Sequence, residues 1–434
     1  MELYQLFLQY PQICTDSRNC PSGSIFFALK GENFNANEFA LGTLQEGCAL
    51  AVVDEAEFAI DERFILVNDV LETLQQLATY HRLQLGTPVI GITGTNGKTT
   101  TKELIASVLS EKFNVLFTQG NLNNHIGVPL TLLQLKHEHE IAVIEMGANH
   151  PSEIELLSNI SYPDYGIITN VGKAHLKGFG SFEGVMKTKT ELYDFISEFG
   201  KLAFINADNE FLLEMAENSG ILKSGKYLKY TQNNSAFDIK IKGSISNCSP
   251  FLEMICSTGN EEKFEISTKL IGSYNAENVL GAVAIGNYFG LTDLEIKAGL
   301  EKYIPKNNRS QLTVTEKNKL VVDAYNANPT SMKAAILNFA QMNVENKTLI
   351  LGDMLELGEY SHQEHQNIVD LLNQNHLVNV LLVGKDFMKT LHSFKSFEKV
   401  EDLIGFIENE PIINHYVLIK GSRGIKLEKV LPNL

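Results

Sequence analysis

The segment Val89-Ile90-Gly91-Ile92-Thr93-Gly94-Thr95-Asn96-Gly97-Lys98-Thr99-Thr100 limits what this chain can fold into more than any other. An apolar run enters a glycine-rich turn, and Lys98 and Thr99 then open a helical pattern that continues from Thr101 to Leu109. A strand passed into a helix through glycines belongs to a parallel sheet covered by helices, and it brings backbone N–H groups and a helix N-terminus together at one point. Such a point accepts an anion. Lys98 is placed to meet the terminal phosphates of a nucleotide, and Thr99 to offer its hydroxyl to the Mg2+ that accompanies them. Gly94, Thr95, Asn96, Gly97 and Thr100 complete the loop. The strict Walker spacing fails by one residue, because Ile92 stands where the first glycine belongs, while Gly94-x-x-Gly97-Lys98-Thr99 is intact.

A chain of 434 residues exceeds what one core usually organises, and its pattern divides into three blocks. In residues 1–85 short apolar strands (Ile25 to Leu29, Ala49 to Val53, Phe64 to Val67) alternate with helical patterns, giving a small α/β unit without a phosphate loop. In residues 86–304 the phosphate-loop strand is followed by strands ending at Glu145 and Asn170, which predicts a mainly parallel sheet. The alternating runs Phe237-Asp238-Ile239-Lys240-Ile241 and Phe264-Glu265-Ile266-Ser267 add an antiparallel appendage to it. Residues 305–434 follow a polar linker, Pro305-Lys306-Asn307-Asn308, and their strands (Leu320 to Asp323, Thr348 to Leu351, Val380 to Val383, Val417 to Ile419) predict a second, Rossmann-like α/β domain.

A net charge of −16 argues against a nucleic-acid surface, since neutralising phosphates takes clustered Lys and Arg, so small molecules are the expected partners. No apolar run is long enough to span a bilayer and the N-terminus lacks a signal-peptide pattern, so the expected location is the cytoplasm. Five cysteines without a C-x-x-C spacing read as free thiols.

Ligands of open α/β sheets bind outside the carboxyl ends of the strands, so the strand-end residues are the candidates. Glu145 closes an apolar strand downstream of the phosphate loop, the expected second anchor for a nucleotide-bound Mg2+. His175 follows the next strand and is either structural or a metal ligand. Lys187 and Lys189, on the helical stretch Ser181 to Phe199, read by composition as solvated surface lysines. Asn275 and Asn278 share one helix face and suit either the edge of a base or a helix cap. In the last block Asp323 ends one strand, and Lys420-Gly421-Ser422-Arg423 ends another as a compact anion site.

Across its whole length the chain resembles the Mur ligases of peptidoglycan synthesis, in the branch that adds D-alanyl-D-alanine to UDP-N-acetylmuramoyl-tripeptide. The resemblance lies in Gly94-Thr95-Asn96-Gly97-Lys98-Thr99, Gly120-Asn121-Leu122-Asn123-Asn124 with Ile126-Gly127-Val128-Pro129, and Glu145-Met146-Gly147-Ala148-Asn149-His150. It continues through Ala174-His175-Leu176-x-Gly178-Phe179-Gly180, Tyr325-Asn326-Ala327-Asn328, Gly352-Asp353-Met354-x-Glu356-Leu357-Gly358 and Lys420-Gly421-Ser422-Arg423. The phosphate loop alone also admits other Mur ligases and folylpolyglutamate synthases. Thr15-Asp16-Ser17-Arg18 with Phe26-Phe27-Ala28-Leu29-Lys30-Gly31 looks like the family's uridine-nucleotide domain, which makes residues 1–85 the UDP-substrate domain, 86–304 the ATP domain and 305–434 the ligase domain.

The resemblance implies an ATP-dependent amide ligase, acting as a monomer, that uses two Mg2+ ions and forms an acyl phosphate. It implies that Thr99, Glu145, His175 and a carbamylated Lys189 hold the metals, and that Lys98, Lys189, His175 and Glu145 are catalytic. Asn275, Asn278, Arg309 and Asp323 would join the phosphate loop around ATP. Ser17, Arg18, Asn121, Asn123, Asn124, Asn149, His150, Tyr325, Asn326, Asn328, Lys420 and Arg423 would hold the other two substrates. The chain departs from the family at His125, where some relatives carry an acidic residue, and around Arg309, which follows Asn307-Asn308 where a glycine often precedes it.

Overall fold

A computed structural model describes residues 2–233, 238–259, 262–306 and 309–434, so Phe237 of the first alternating run and Asn307-Asn308 of the expected linker lie outside the described residues. Three main sheets follow one another along the chain. The first is a four-stranded parallel sheet in the order Ile13–Cys14, Ile25–Phe27, Leu50–Val53, Phe64–Leu66. The helix Val70–Leu85 then leaves it, started by Asp69, whose carboxylate accepts the Glu72 N–H at 2.7 Å, and stopped by Gly86 in the left-handed region. Its apolar stripe, Val70, Leu74, Leu77 and Ala78, joins Phe27 and Val52 of the first sheet to Val128, Leu132, Leu157 and Ile160 of the next unit in one continuous core. The two units therefore share a core, which fixes the first sheet beside the second.

The nine-stranded central sheet runs, in spatial order, through Phe264–Ile271, Phe251–Thr258, Ile241–Cys248, Tyr227–Thr231, Leu202–Asn206, Tyr165–Ile168, Val89–Thr93, Ile141–Glu145 and Val115–Phe117. The phosphate-loop strand is buried at all five positions, as expected for a strand with helices over both faces. The antiparallel run is an edge extension of this same sheet, because Tyr227–Thr231 pairs in parallel with Ile241–Cys248 before the direction reverses.

The third sheet has six strands in the order Gln311–Val314, Lys319–Val322, Tyr416–Lys420, Lys347–Gly352, Val380–Val383, Lys395–Phe397, of which only the first pair is antiparallel. The sequence pattern misses Ile13–Cys14, Gln311–Val314 and Lys395–Phe397, which are edge strands too short or too polar to display a period. The third core also takes in Ile271 and Phe251 from the central sheet's antiparallel edge, so the last unit sits on that edge through apolar contact.

Two expectations are corrected. Cys14 and Cys20 form a disulfide with their Cα atoms 5.5 Å apart, leaving Cys48, Cys248 and Cys256 as free thiols. The five intervening residues turn back on themselves where the Asn19 N–H donates to the Asp16 carbonyl at 3.1 Å, which the x5 spacing does not announce. Lys189 is not a surface lysine: it is 2 % exposed, whereas Lys187 beside it is exposed. The helix Phe182–Glu198 begins at Ser181, whose hydroxyl accepts the Gly184 N–H, and this start turns Lys189 inward with Val185, Thr188 and Leu192.

Candidate active site

The carboxyl ends of the strands ending at Thr93, Glu145, Ile168 and Asn206 open into a cavity of about 690 Å3, closed on the far side by residues of the third unit. The phosphate loop forms its floor. Gly97 precedes the helix Lys98–Leu109 with φ 77°, and a side chain there would meet the Asn278 amide at 2.6 Å. Gly94, at φ 142°, presses against the Thr169 hydroxyl so closely that a Cβ would overlap it. Asn170 fixes the loop from the neighbouring strand: its Oδ1 accepts the Asn96 N–H at 2.9 Å and its carbonyl accepts the Thr95 N–H at 3.0 Å. Asn170 also lines the cavity, and as a strand-end asparagine among many it was not singled out from the sequence.

Within this loop Lys98 donates to the carbonyls of Gly94 (2.8 Å) and Thr95 (3.1 Å). Burial pushes its pKa down and Glu145 pulls it back up, with Arg309 adding to the depression. Glu145 is 2 % exposed. Its Oε1 accepts from Thr99 Oγ1 (3.2 Å) and Asn123 Nδ2 (2.8 Å), while Oε2 is buried with no hydrogen-bond partner. A buried carboxylate oxygen left without a donor, beside a threonine hydroxyl and within the field of a lysine, fits a hard divalent cation bound through oxygen.

His175, in the left-handed region at φ 50°, points its Nδ1 at Glu356 Oε2, 2.5 Å away on the third unit. A carboxylate only accepts, so the ring proton lies on Nδ1 and the lone pair on Nε2. Burial lowers the His175 pKa, opposed by Glu356 and assisted by Lys98. Lys189 lies behind this wall with its Nζ 5.5 Å from the centre of the Phe179 ring, and burial first, then Lys98, pushes its pKa down to about 7.

Across the cavity, Arg309 stacks on Tyr325 at 3.7 Å from the ring centre. Lys420 is buried and paired with Asp323 at 2.5 Å, so these two residues neutralise each other in this arrangement. Asn328 donates to the Asn96 side chain at 2.7 Å, a direct bond from the third unit to the phosphate loop. Asn121, Asn123, Asn124, His125, Asn149, Tyr325 and Asn326 all line the same space.

Other expected residues stand differently. Asn275 and Asn278 border the cavity, but their amides are engaged with the protein. Asn278 accepts from Thr101 and donates to Asn275, and Asn275 donates to the Ile271 carbonyl. His150 is exposed beside Glu153 and does not line the cavity. Arg423 is exposed, 5.5 Å from the Tyr325 ring and outside the cavity wall. Ser17 and Arg18 remain on the first unit, away from the cavity, with Arg18 clamped onto Asp16 at 2.8 Å. Glu277 and Glu356 were not put forward as site residues. Glu356 is quoted in a motif but reaches its partner from another unit, and no local spacing reveals that.

Family comparison agrees with this geometry. The model described as Mur ligase middle domain matches residues 92–286, and the one described as Mur ligase, glutamate ligase domain, matches residues 308–423. UDP-N-acetylmuramoyl-tripeptide–D-alanyl-D-alanine ligase of Bacillus subtilis is 34% identical over 435 residues, covering 97% of this chain and 92% of that protein. The chain belongs to the Mur ligase family. The Escherichia coli protein with the same designation is 35% identical over 433 residues, covering 97% of this chain and 93% of its own. Crystal structure I of MurF from Acinetobacter baumannii superposes with a TM-score of 0.87 at 33% identity, covering 98% of this chain and 93% of that one. The Mur ligase fold thus spans the whole chain. The carbamate that the resemblance implies at Lys189 finds no support in these comparisons, and the Lys189 side chain is buried with no ion-pair partner among the described residues.

Proposed function

We propose that this Mur ligase is the ATP-dependent enzyme that joins D-alanyl-D-alanine to UDP-N-acetylmuramoyl-tripeptide in peptidoglycan precursor synthesis. One observation carries the reading: a single cavity is walled by a phosphate loop, by the unsatisfied Glu145 carboxylate and by a second α/β unit, in a chain that matches ligases of this designation from end to end. Residues 1–85 are taken as the UDP-substrate unit with Ser17 and Arg18, 86–304 as the ATP unit, and 305–434 as the unit that brings the dipeptide. The enzyme is taken as a monomer. Among the described residues no helix is long and apolar enough to cross a membrane, and a cytoplasmic site of action suits substrates of this polarity.

In this reading the terminal carboxylate oxygen of the tripeptide attacks the γ-phosphorus of ATP. A P–O bond forms, the bond to the β-phosphate bridge breaks, and ADP leaves. The amine nitrogen of the dipeptide then attacks the acyl carbon, the C–O bond to phosphate breaks, and the nitrogen loses its proton as the amide forms. No protein nucleophile is needed, so the rate comes from placement and from neutralising charge. Lys98, freed from its two loop carbonyls, and Arg309, held flat on Tyr325, face the phosphates. Thr99 and Glu145 would hold one Mg2+, and Nε2 of His175 would take part in holding a second. Bound there, the ions would offset the negative charge that gathers on the transferring phosphoryl oxygens. Asn121, Asn123, Asn124 and Asn149 flank the tripeptide side, and Tyr325, Asn326, Asn328 and Lys420 the dipeptide side. Closure of the third unit keeps water from the acyl phosphate.

The test is ADP release measured with each substrate omitted in turn. Release that requires both the UDP-tripeptide and D-Ala-D-Ala is the expected result, and ATP hydrolysis indifferent to the dipeptide would overturn the assignment. Two substitutions probe parts of it. Removing the carboxylate that orients the His175 ring, Glu356→Ala, is expected to raise the Mg2+ concentration for half-maximal activity by roughly 10–100-fold. An unchanged Mg2+ titration would separate His175 from the metal. Arg423→Ala is expected to raise the KM for D-Ala-D-Ala by about one to two decades while the KM for ATP stays within about twofold, as loss of a charge-assisted pair with the dipeptide carboxylate requires. A shift in the ATP constant alone would move Arg423 to the nucleotide side.

A further inference from the structure

The cavity contains a carboxylate that the reaction above does not use. Glu277 stands in the first turn of the helix Ala276–Tyr288, between Asn275 and Asn278, and lines the cavity together with Asn209. The two asparagines are occupied with the protein, so Glu277 is the acceptor that this turn presents to a ligand. Asn206 at the end of a central strand stands close enough to the Glu277 carboxyl to favour its charged form, and Asn209 spends its Oδ1 capping the next helix through the Leu212 N–H. An acceptor and an amide donor are thus left side by side on the cavity wall. Burial, and then Asp208, pushes the Glu277 pKa up to about 7, the mark of a carboxyl kept from water without a cation.

The order of strands says which part of a nucleotide arrives there. Glu145 ends the strand on one side of the phosphate-loop strand, and Asn206 ends the second strand on the other side. With the terminal phosphate toward Thr99 and Glu145, the nucleoside must lie toward Asn206 and Glu277. Three strand spacings, about 14 Å, separate the two ends. That span is the reach of an extended nucleoside triphosphate.

We infer that Glu277 is the residue through which the site selects adenine, its carboxylate accepting from the exocyclic 6-amino group. This rests on the ATP reading above. Adenine offers a donor at position 6 and an acceptor at N1, which match Glu277 and the free Asn209 amide. A 6-oxo purine would turn an acceptor toward the carboxylate.

The experiment compares kcat/KM for ATP, ITP and 2′-deoxy-ATP in the full enzyme, with the UDP-tripeptide and D-Ala-D-Ala saturating. Wild type is expected to prefer ATP over ITP by at least about tenfold, the scale set by one buried hydrogen bond and its reversal. Glu277→Ala should bring that ratio within about threefold by raising the KM for ATP, with kcat held within about twofold. Glu277→Gln, which keeps an acceptor at the same place, should restore most of the preference and guards against a folding defect in the alanine variant. An ATP-to-ITP ratio unmoved in Glu277→Ala would overturn the inference, as would an effect confined to 2′-deoxy-ATP, which would assign the carboxylate to the ribose. Absence of ATP-dependent ligation in the wild type would instead strike the ATP reading itself, so the two failures are distinguishable.

Discussion

Lys98→Ala is expected to lower ligation by roughly three orders of magnitude while the protein stays folded, with its melting temperature within about 2 °C of wild type. The two halves of this expectation rest on different residues. The loop keeps its shape through Gly94, Gly97 and the Asn170 bonds to Thr95 and Asn96, none of which involves the lysine side chain. What Lys98 contributes is charge at the place where phosphoryl oxygens become more negative, and without them it rests on two carbonyls of its own loop. Single-turnover ADP formation together with a thermal melt separates the two effects. A folded variant that ligates within tenfold of wild type would remove the phosphate loop from the chemistry.

Lys189→Met is expected to act in opposite directions on stability and on rate. The amine is 2 % exposed, beside Phe179 and in the field of Lys98, and its pKa lies near 7 rather than 10.5. Between those two values the unfolded chain binds a proton that the folded chain refuses, so wild-type stability rises as the pH climbs from 7 toward 10.5, and the full penalty applies below 7. Methionine removes that penalty. The variant should gain roughly 2–4 kcal/mol near neutral pH and lose the slope between pH 7 and 9, while ligation falls by about a hundredfold or more. Urea unfolding followed against pH, beside initial rates, reads both. A variant that is no more stable would show that the lysine is not strained, and one that ligates normally would show that it is not used. Two neighbouring amines held where burial outweighs the nearby Glu145, Glu153 and Glu191 carboxylates make sense in a pocket that waits for carboxylate and phosphate.

The parts of this site that the sequence disclosed are those in which neighbours along the chain are neighbours in space. Glycines at a strand–helix junction, Glu145 at the end of an apolar strand and His175 after the next strand are local statements, and the sheet carries all three to one edge. The parts it withheld depend on partners far away. Nothing near Asn275 says that Thr101 and Ile271 will occupy the amides of that turn, nor does anything near Lys189 say that a cap at Ser181 will rotate it inward. Glu356 meets His175 only because the third unit closes over the second. The Cys14–Cys20 bond was missed for a related reason, since the ring it closes is formed by a backbone turn, Asn19 N–H onto the Asp16 carbonyl, that no side-chain pattern marks.

The seam between the second and third units is greasy along one margin and polar along the other. Ile271 and Phe251 enter the third core at the antiparallel edge, whereas the opposite margin is held by Asn96 with Asn328, His175 with Glu356, and Lys173 with Glu364 at 2.8 Å. Water competes well for the second set and poorly for the first. Such a seam swings like a door: it stays on its apolar pins while the polar catches let go, and two of the three catches, Asn96 with Asn328 and His175 with Glu356, involve a residue that also lines the cavity. Letting the products out and undoing the catches are then a single movement, and dissolved salt, which weakens the Lys173–Glu364 catch and spares the pins, becomes a means of setting how long the door stands open.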